Sequence, residues 1–166
     1  MEKKFELTDN FVINAFGIKL FQIKCTKSFK YANEGDLGGY VEKEDNLSQS
    51  GDAWVYVDAW VSGDAWVSGD ARVSGNAWVS GNAQVYGDAR VENNHMHCGF
   101  DCFGSCNRHT HAYKTKGNKV EITCGCFRGS LEEFEKKVEE THKGTIYEKQ
   151  YKAIINLIKI KFGIDG

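Results

Sequence analysis

From Gly51 to Glu92 one pattern of apolar and polar positions recurs every six residues without a gap: GDAWVY, VDAWVS, GDAWVS, GDARVS, GNAWVS, GNAQVY and GDARVE. In each unit a valine points inward, and four positions later an alanine does the same, as in Val61-Ser62-Gly63-Asp64-Ala65. The Gly-Asp or Gly-Asn pair between them suits a tight corner, because these residues tolerate a left-handed backbone. An aliphatic residue at a period of six predicts a parallel β-helix, with three units per coil and rungs stacked at the hydrogen-bonded strand spacing of about 4.8 Å. Val55, Val61, Val67, Val73, Val79, Val85 and Val91 are the expected interior. Residues 37–50 read as a degraded lead-in, with Val41 and Leu47 six apart. Gln49 and Ser50 then shift the phase before Val55.

The flanks have other periods. Phe5, Leu7, Phe11-Val12-Ile13 and Leu20-Phe21-Gln22-Ile23 read as short strands around a turn at Asn14–Gly17. Thr110–Thr115 and Lys119–Cys124 predict a hairpin around Lys116-Gly117-Asn118. Ser130-Leu-Glu-Glu133 is a capping-box pattern, followed by the apolar stripe Leu131, Phe134, Val138 and a stop near Gly144. A second helix is expected from about Ile146 to Phe162, with Tyr147, Tyr151, Ile154, Ile155, Ile158 and Phe162 inward and Gly163 as its stop. The expected class is mainly β with an α+β C-terminal module. A short β-helix (37–92) is capped by an N-terminal β segment (1–36) and by a Cys/His module (93–166) carrying a zinc-binding hairpin and two helices. Such covers shield strand edges that would otherwise invite aggregation.

Charge and cysteine content narrow the function. The net charge of -2 offers no global basic field, so direct sequence-specific binding to nucleic acid is not expected. Residues 37–92 hold nine acids against three bases, whereas residues 93–130 hold two acids against five bases. No signal peptide or membrane span is visible, so a cytoplasmic setting is expected, in which six cysteines point to metal ligation before disulfides. His95, His97, Cys98, Cys102, Cys106, His109, His111, Cys124 and Cys126 crowd into residues 95–126. Thiolate with imidazole suits a structural zinc. The Cys-x-Cys pair Cys124 and Cys126, joined by Cys102 and Cys106, is the first ligand set; His142, His97, Cys98, His109 and His111 are alternates. The segment has neither a His-Glu-x-x-His nor a deaminase signature, so a non-enzymatic role is expected.

The position after each inward alanine faces out. It carries Trp54, Trp60, Trp66, Arg72, Trp78, Gln84 and Arg90. With three units per coil, Trp60 and Trp78 share one column, Trp54 stands with Arg72 and Arg90, and Trp66 stands with Gln84. Tryptophan and arginine are enriched at binding hot spots. Trp54, Trp60, Trp66, Trp78, Arg72 and Arg90 are therefore candidates for a partner surface. The alternative is that a cap or a second copy of the chain covers them, or that they only stiffen the sheet.

The repeat resembles the left-handed β-helix of hexapeptide-repeat proteins. Taken whole, the chain resembles a family of small proteins encoded by phages and prophages of Gram-positive bacteria. The likeness is carried by Gly35-Asp-Leu-Gly-Gly-Tyr-Val-Glu42, Asn46-Leu-Ser48, the repeat itself, and Cys124-Gly-Cys-Phe-Arg-Gly129 with Glu133-Phe134 and His142. That resemblance implies a phage protein, some of which inhibit host defence. Its most concrete form is an anti-CRISPR inhibitor of Cas9 that bears zinc and occludes nucleic-acid loading. A hexapeptide-repeat acyltransferase and a phage scaffold component are the competing readings; the repeat contains no histidine of the kind such acyltransferases use.

Overall fold

Seven valines, Val55 to Val91 at intervals of six, are fully buried, and the seven inward alanines from Ala53 to Ala89 are at most 3% exposed. They fill the interior of a three-sided parallel solenoid in the computed structural model, which describes residues 2–164. The chain divides into two compact units, Met1–Asn94 and His95–Gly166.

In the first unit, β1 (Phe5–Ile13) and β2 (Lys19–Cys25) form an antiparallel hairpin, and β2 pairs antiparallel with β3 (Leu37–Val41). The rungs follow as two-residue strands: β4 (Trp54–Val55), β5 (Trp60–Val61), β6 (Trp66–Val67), β7 (Arg72–Val73), β8 (Trp78–Val79), β9 (Gln84–Val85) and β10 (Arg90–Val91). Three parallel faces result, β3-β5-β8, β4-β7-β10 and β6-β9. Rungs β4 to β7 donate to the carbonyls three units later, as Trp60 N–H does to Ala77 O (2.9 Å) and Ser62 N–H to Val79 O (3.0 Å). Because β3 belongs to both the hairpin sheet and a solenoid face, residues 1–36 and 37–92 lie within one unit.

The corners explain the glycines. Gly63 has φ +67°, and a Cβ there would lie 3.1 Å from the backbone nitrogen of Gly81 in the next coil, so stacking and dihedral both disfavour a side chain. One unit breaks the rule with Val57. There the left-handed residue moves one place on, to Asp58 at φ 71°, a residue type that tolerates it.

Two buried polar side chains, Lys4 and Asn46, close the first coil. The Lys4 ammonium donates to Ala53 O (2.8 Å) and Gly51 O (3.2 Å). The fully buried Asn46 amide donates to Ala65 O (2.8 Å) and Gly63 O (3.0 Å). The phase-shifting Gln49 accepts from Lys4 N–H (2.8 Å) and donates to Phe5 O (3.1 Å). The Lys4 and Asn46 bonds satisfy carbonyls that the first coil would otherwise leave without partners, whereas Gln49 ties the lead-in to the start of β1.

The second unit is a four-stranded antiparallel meander: β11 (His97–Phe103), β12 (Arg108–Lys114), β13 (Val120–Cys124) and β14 (Phe127–Ser130). The expected hairpin is its centre. The outer strands β11 and β14 went unread, because β11 is rich in Cys, His and Gly and β14 has four residues. Ala112, Val120, Ile122 and Cys124 pack against Leu131, Phe134 and Val138 of α1 (Leu131–His142) and against Tyr151, Ile154, Ile155 and Ile158 of α2 (Ile146–Phe162). Ser130 and Glu133 close the capping box on α1, with Ser130 N–H donating to the Glu133 carboxylate (2.7 Å) and Glu133 N–H to Ser130 Oγ (3.2 Å). Gly163, at φ 63°, ends α2. None of the described helices is long and apolar enough to cross a membrane.

Candidate functional site

The solenoid columns stand in register: Trp60 beside Trp78, Trp54 beside Arg72 beside Arg90, and Trp66 beside Gln84. Their environments differ sharply. Trp60 and Trp78 meet edge to face with centroids 6.0 Å apart. Phe16, at the tip of the β1–β2 hairpin and 75% exposed, approaches Trp78 to 5.7 Å. The Trp78 indole N–H donates to Ser62 Oγ (3.3 Å). Both tryptophans are half-buried.

Trp54 is not a surface residue. It is 2% exposed, with Phe29 set edge-on to its ring at 5.4 Å. The expectation that Trp54 offers a partner surface is therefore corrected: the loop after β2 folds over this end of the column, and the indole is core. The same loop places Tyr31 against the Arg72 guanidinium (5.2 Å) and Lys30 against Asp70 (3.1 Å). Arg72 and Arg90 are half-buried, and with Tyr56, Ser74 and Glu92 they line a cavity of about 230 Å³. Trp66 is 41% exposed and lies 6.4 Å from Tyr86, itself 38% exposed. This aromatic pair was half missed in the sequence. Tyr86 follows its valine where most units have serine, and that substitution was its only signal.

In the second unit the cysteines separate. Cys106, in the turn between β11 and β12, Cys124 at the end of β13, Cys126 in the turn to β14, and His142 at the end of α1 all line one cavity of about 320 Å³. The elements aim them there. Gly125, at φ +59°, makes the tight turn that holds Cys124 and Cys126 on either side, and α1 returns His142 to the strand end. Gln150 Oε1 accepts from Gly104 N–H (2.9 Å), anchoring the Cys106 turn to α2. Thr110 Oγ1 donates to Cys124 Sγ (3.3 Å), and the Tyr151 ring stacks on His142 at 5.4 Å. Arg108 lines the same cavity, its side chain packed against Gly125.

The other candidates lie elsewhere. Cys102 is exposed, in a left-handed conformation (φ 64°) where the β11–β12 register slips, and it does not line this cavity. The expected set Cys102, Cys106, Cys124 and Cys126 is thus not gathered as a group. Cys98 packs against the helix-facing core, and burial pushes its thiol up to about 11. His97 Nδ1 and His111 Nε2 hydrogen-bond each other at 3.0 Å, and His109 Nδ1 pairs with Asp101 at 2.6 Å, so the strand histidines are engaged among themselves. Among the described residues, no three His, Cys, Asp or Glu side chains converge closely enough to hold an ion. Cys25 is buried in the first unit, its Sγ 3.2 Å from Lys27 O.

No curated protein matches this chain. Residues 65–81 and 83–96 match a family model described as the YdcK beta solenoid repeat, so across these coils the chain is similar to a β-solenoid repeat protein.

Proposed function

We propose that this chain is a non-enzymatic binding protein whose solenoid meets a macromolecular partner. The exposed Trp66–Tyr86 pair carries the reading, because solvated large aromatics on a rigid sheet are the side chains that binding hot spots favour. The Trp60–Trp78 pair extends the aromatic surface, and Arg72 and Arg90 supply cations on the neighbouring face. The resemblance to phage-encoded proteins supplies the partner: a host defence nuclease, with Cas9 as the specific candidate, met in the cytoplasm of the bacterial host. In this reading the repeat winds left-handed, zinc is structural, and inhibition is occlusion of nucleic-acid loading. The nine acids against three bases in residues 37–92 favour encounter with a basic nuclease surface.

Cas9 cleavage measured against a titration of the protein is the test. Inhibition should saturate near one inhibitor per nuclease, without turnover. Trp66→Ala, Trp60→Ala and Trp78→Ala should each be tried, and truncating a true anchor costs about 2 kcal/mol of binding. Full cleavage at large excess removes Cas9 from the proposal. Inhibition untouched by all three substitutions moves the interface off the aromatic columns.

A further inference from the structure

The cavity of about 320 Å³ in the second unit has an apolar floor and a cationic rim. Its floor is Phe127, Phe134, Val138 and Tyr151, of which all but Phe127 are buried. Phe134 meets Phe127 at 5.1 Å and stands edge-on to Tyr151 at 5.6 Å, so the three rings form one packed aromatic cluster. Two exposed cations stand at the rim, Arg108 from the start of β12 and Lys137 from α1. Among the described residues that line the cavity there is no carboxylate. We propose that it binds a small organic anion of the aromatic carboxylate class, with its ring on the floor and its carboxylate between Arg108 and Lys137.

The chain builds each part locally. Phe134, Lys137, Val138 and Thr141 follow one another at helical spacings, so they share one face of α1. The apolar members turn down into the core, and Lys137 and Thr141 are left at the edge. Arg108 is placed by a glycine: a Cβ at Gly125 would lie 2.7 Å from Arg108 Cδ, so the arginine stem crosses bare backbone there. A guanidinium fork matches a carboxylate bidentately. With no acid in the lining, the two cations repel each other, and an anion between them relieves that repulsion. Burial pushes the Tyr151 hydroxyl up, so it stays protonated and adds no negative charge to the floor. The polarity of α1 favours a single negative charge. The cavity lies along the C-terminal half of this helix, which ends at His142, and that is the negative end of its dipole. Phosphate sites use the opposite end of a helix. The volume falls near the lower end of the roughly 300–1,000 Å³ span of small-molecule pockets, which suits a body of one or two rings.

The test is a titration of the reduced full chain with naphthoate, followed by amide NMR and calorimetry and repeated with the uncharged naphthamide. Shifts are expected at residues 105–108, 125–127 and 137–142. The acid should bind about tenfold or more tightly than the amide, the scale of a charge-assisted hydrogen bond. Arg108→Gln and Lys137→Gln should each shrink that preference, and the double substitution should abolish it. Lys136→Gln, at an exposed position outside the lining, should bind as the parent does. Phe127→Ala should weaken acid and amide alike. Arg108 and Lys137 are exposed, so their variants should fold, which circular dichroism checks. Equal affinity for acid and amide overturns the proposal, as does a preference that survives the double substitution. Shifts confined to the solenoid, or no binding of either probe, overturn it as well. Tighter binding of naphthyl phosphate than of naphthoate overturns the carboxylate class. The titration needs no nuclease, so its outcome is independent of the Cas9 measurement.

Discussion

Trp54 and Trp66 occupy the same position of the hexapeptide, in the same Asp-Ala-Trp-Val context, yet one is core and the other surface. Phe29 makes the difference, by closing over Trp54 from a loop that precedes the repeat. The two side chains should respond oppositely to truncation. Trp54→Ala empties a buried indole site and is expected to cost about 3–5 kcal/mol of stability. Trp66→Ala removes a partly solvated ring and should stay within roughly 0.5 kcal/mol. Denaturant unfolding of both variants checks this, and a Trp66 loss equal to that of Trp54 would show that Trp66 is packed rather than presented. The Cys126–Cys102 contrast is of the same kind. Both are exposed cysteines flanked by glycine or aspartate in a turn-like setting, but only Cys126 shares a cavity with Cys124.

At the level of elements, the first coil depends on side chains for what the later coils obtain from backbone. Each interior rung has neighbours on both sides, whereas the coil containing β4 borrows Lys4 and Asn46. Lys4 is 6% exposed, and burial lowers its ammonium from 10.5 to about 8, a shift only partly opposed by Asp52 and Cys25. Between those values the unfolded chain binds more protons than the folded one. The stability of the unit therefore rises with pH through the window from about 8 to about 10.5, as the cost of holding a buried charge is relieved. Below the window Lys4 is charged in both states and its contribution is flat. Denaturation across roughly pH 7–11 should show this rise in the parent and not in Lys4→Met, so that the difference between them grows with pH. Parallel curves would mean that Lys4 keeps its ordinary affinity for protons. The helices need no such help: Ser130 with Glu133, and Thr145 accepting from Glu148 N–H (3.3 Å), cap their N-termini locally.

At the scale of the whole molecule, the two units hold together by different means. The first is a ladder in which each coil contacts the next, so its stability is close to a sum of neighbour terms. The second is a sheet with two helices on one face, around the core of Ile122, Phe134, Tyr151 and Ile158. If this unit binds the structural zinc of the proposed reading, removing the ion takes away stabilisation that the folded state alone enjoys. Hydrogen exchange after chelation should then quicken at the β11–β12 and β13–β14 turns and leave the solenoid valines as protected as before. Equal loosening of both units would indicate a general effect of the chelator. The two units give no reason to expect a single two-state transition, so site-resolved exchange is the better measure.

The repeat was legible in the amino-acid sequence because its information is local and redundant. A period of six, an inward valine and a left-handed corner recur until register admits one solution, and the columns Trp60–Trp78 and Trp66–Gln84 follow from counting alone. The two helices were legible for a similar reason, since caps and apolar stripes lie within a few residues of one another. Strands β11 and β14 were not, because β11 joins its sheet by pairing with β12 rather than by any apolar alternation of its own. The burial of Trp54, the exposure of the Trp66–Tyr86 pair and the exchange of Cys102 for His142 around the thiol cavity were decided only by tertiary structure. Each depends on which distant segment arrives at a given side chain: Phe29 for Trp54, and the end of α1 for Cys124 and Cys126. Residue type and spacing specify what a side chain can do, and long-range packing selects its neighbours.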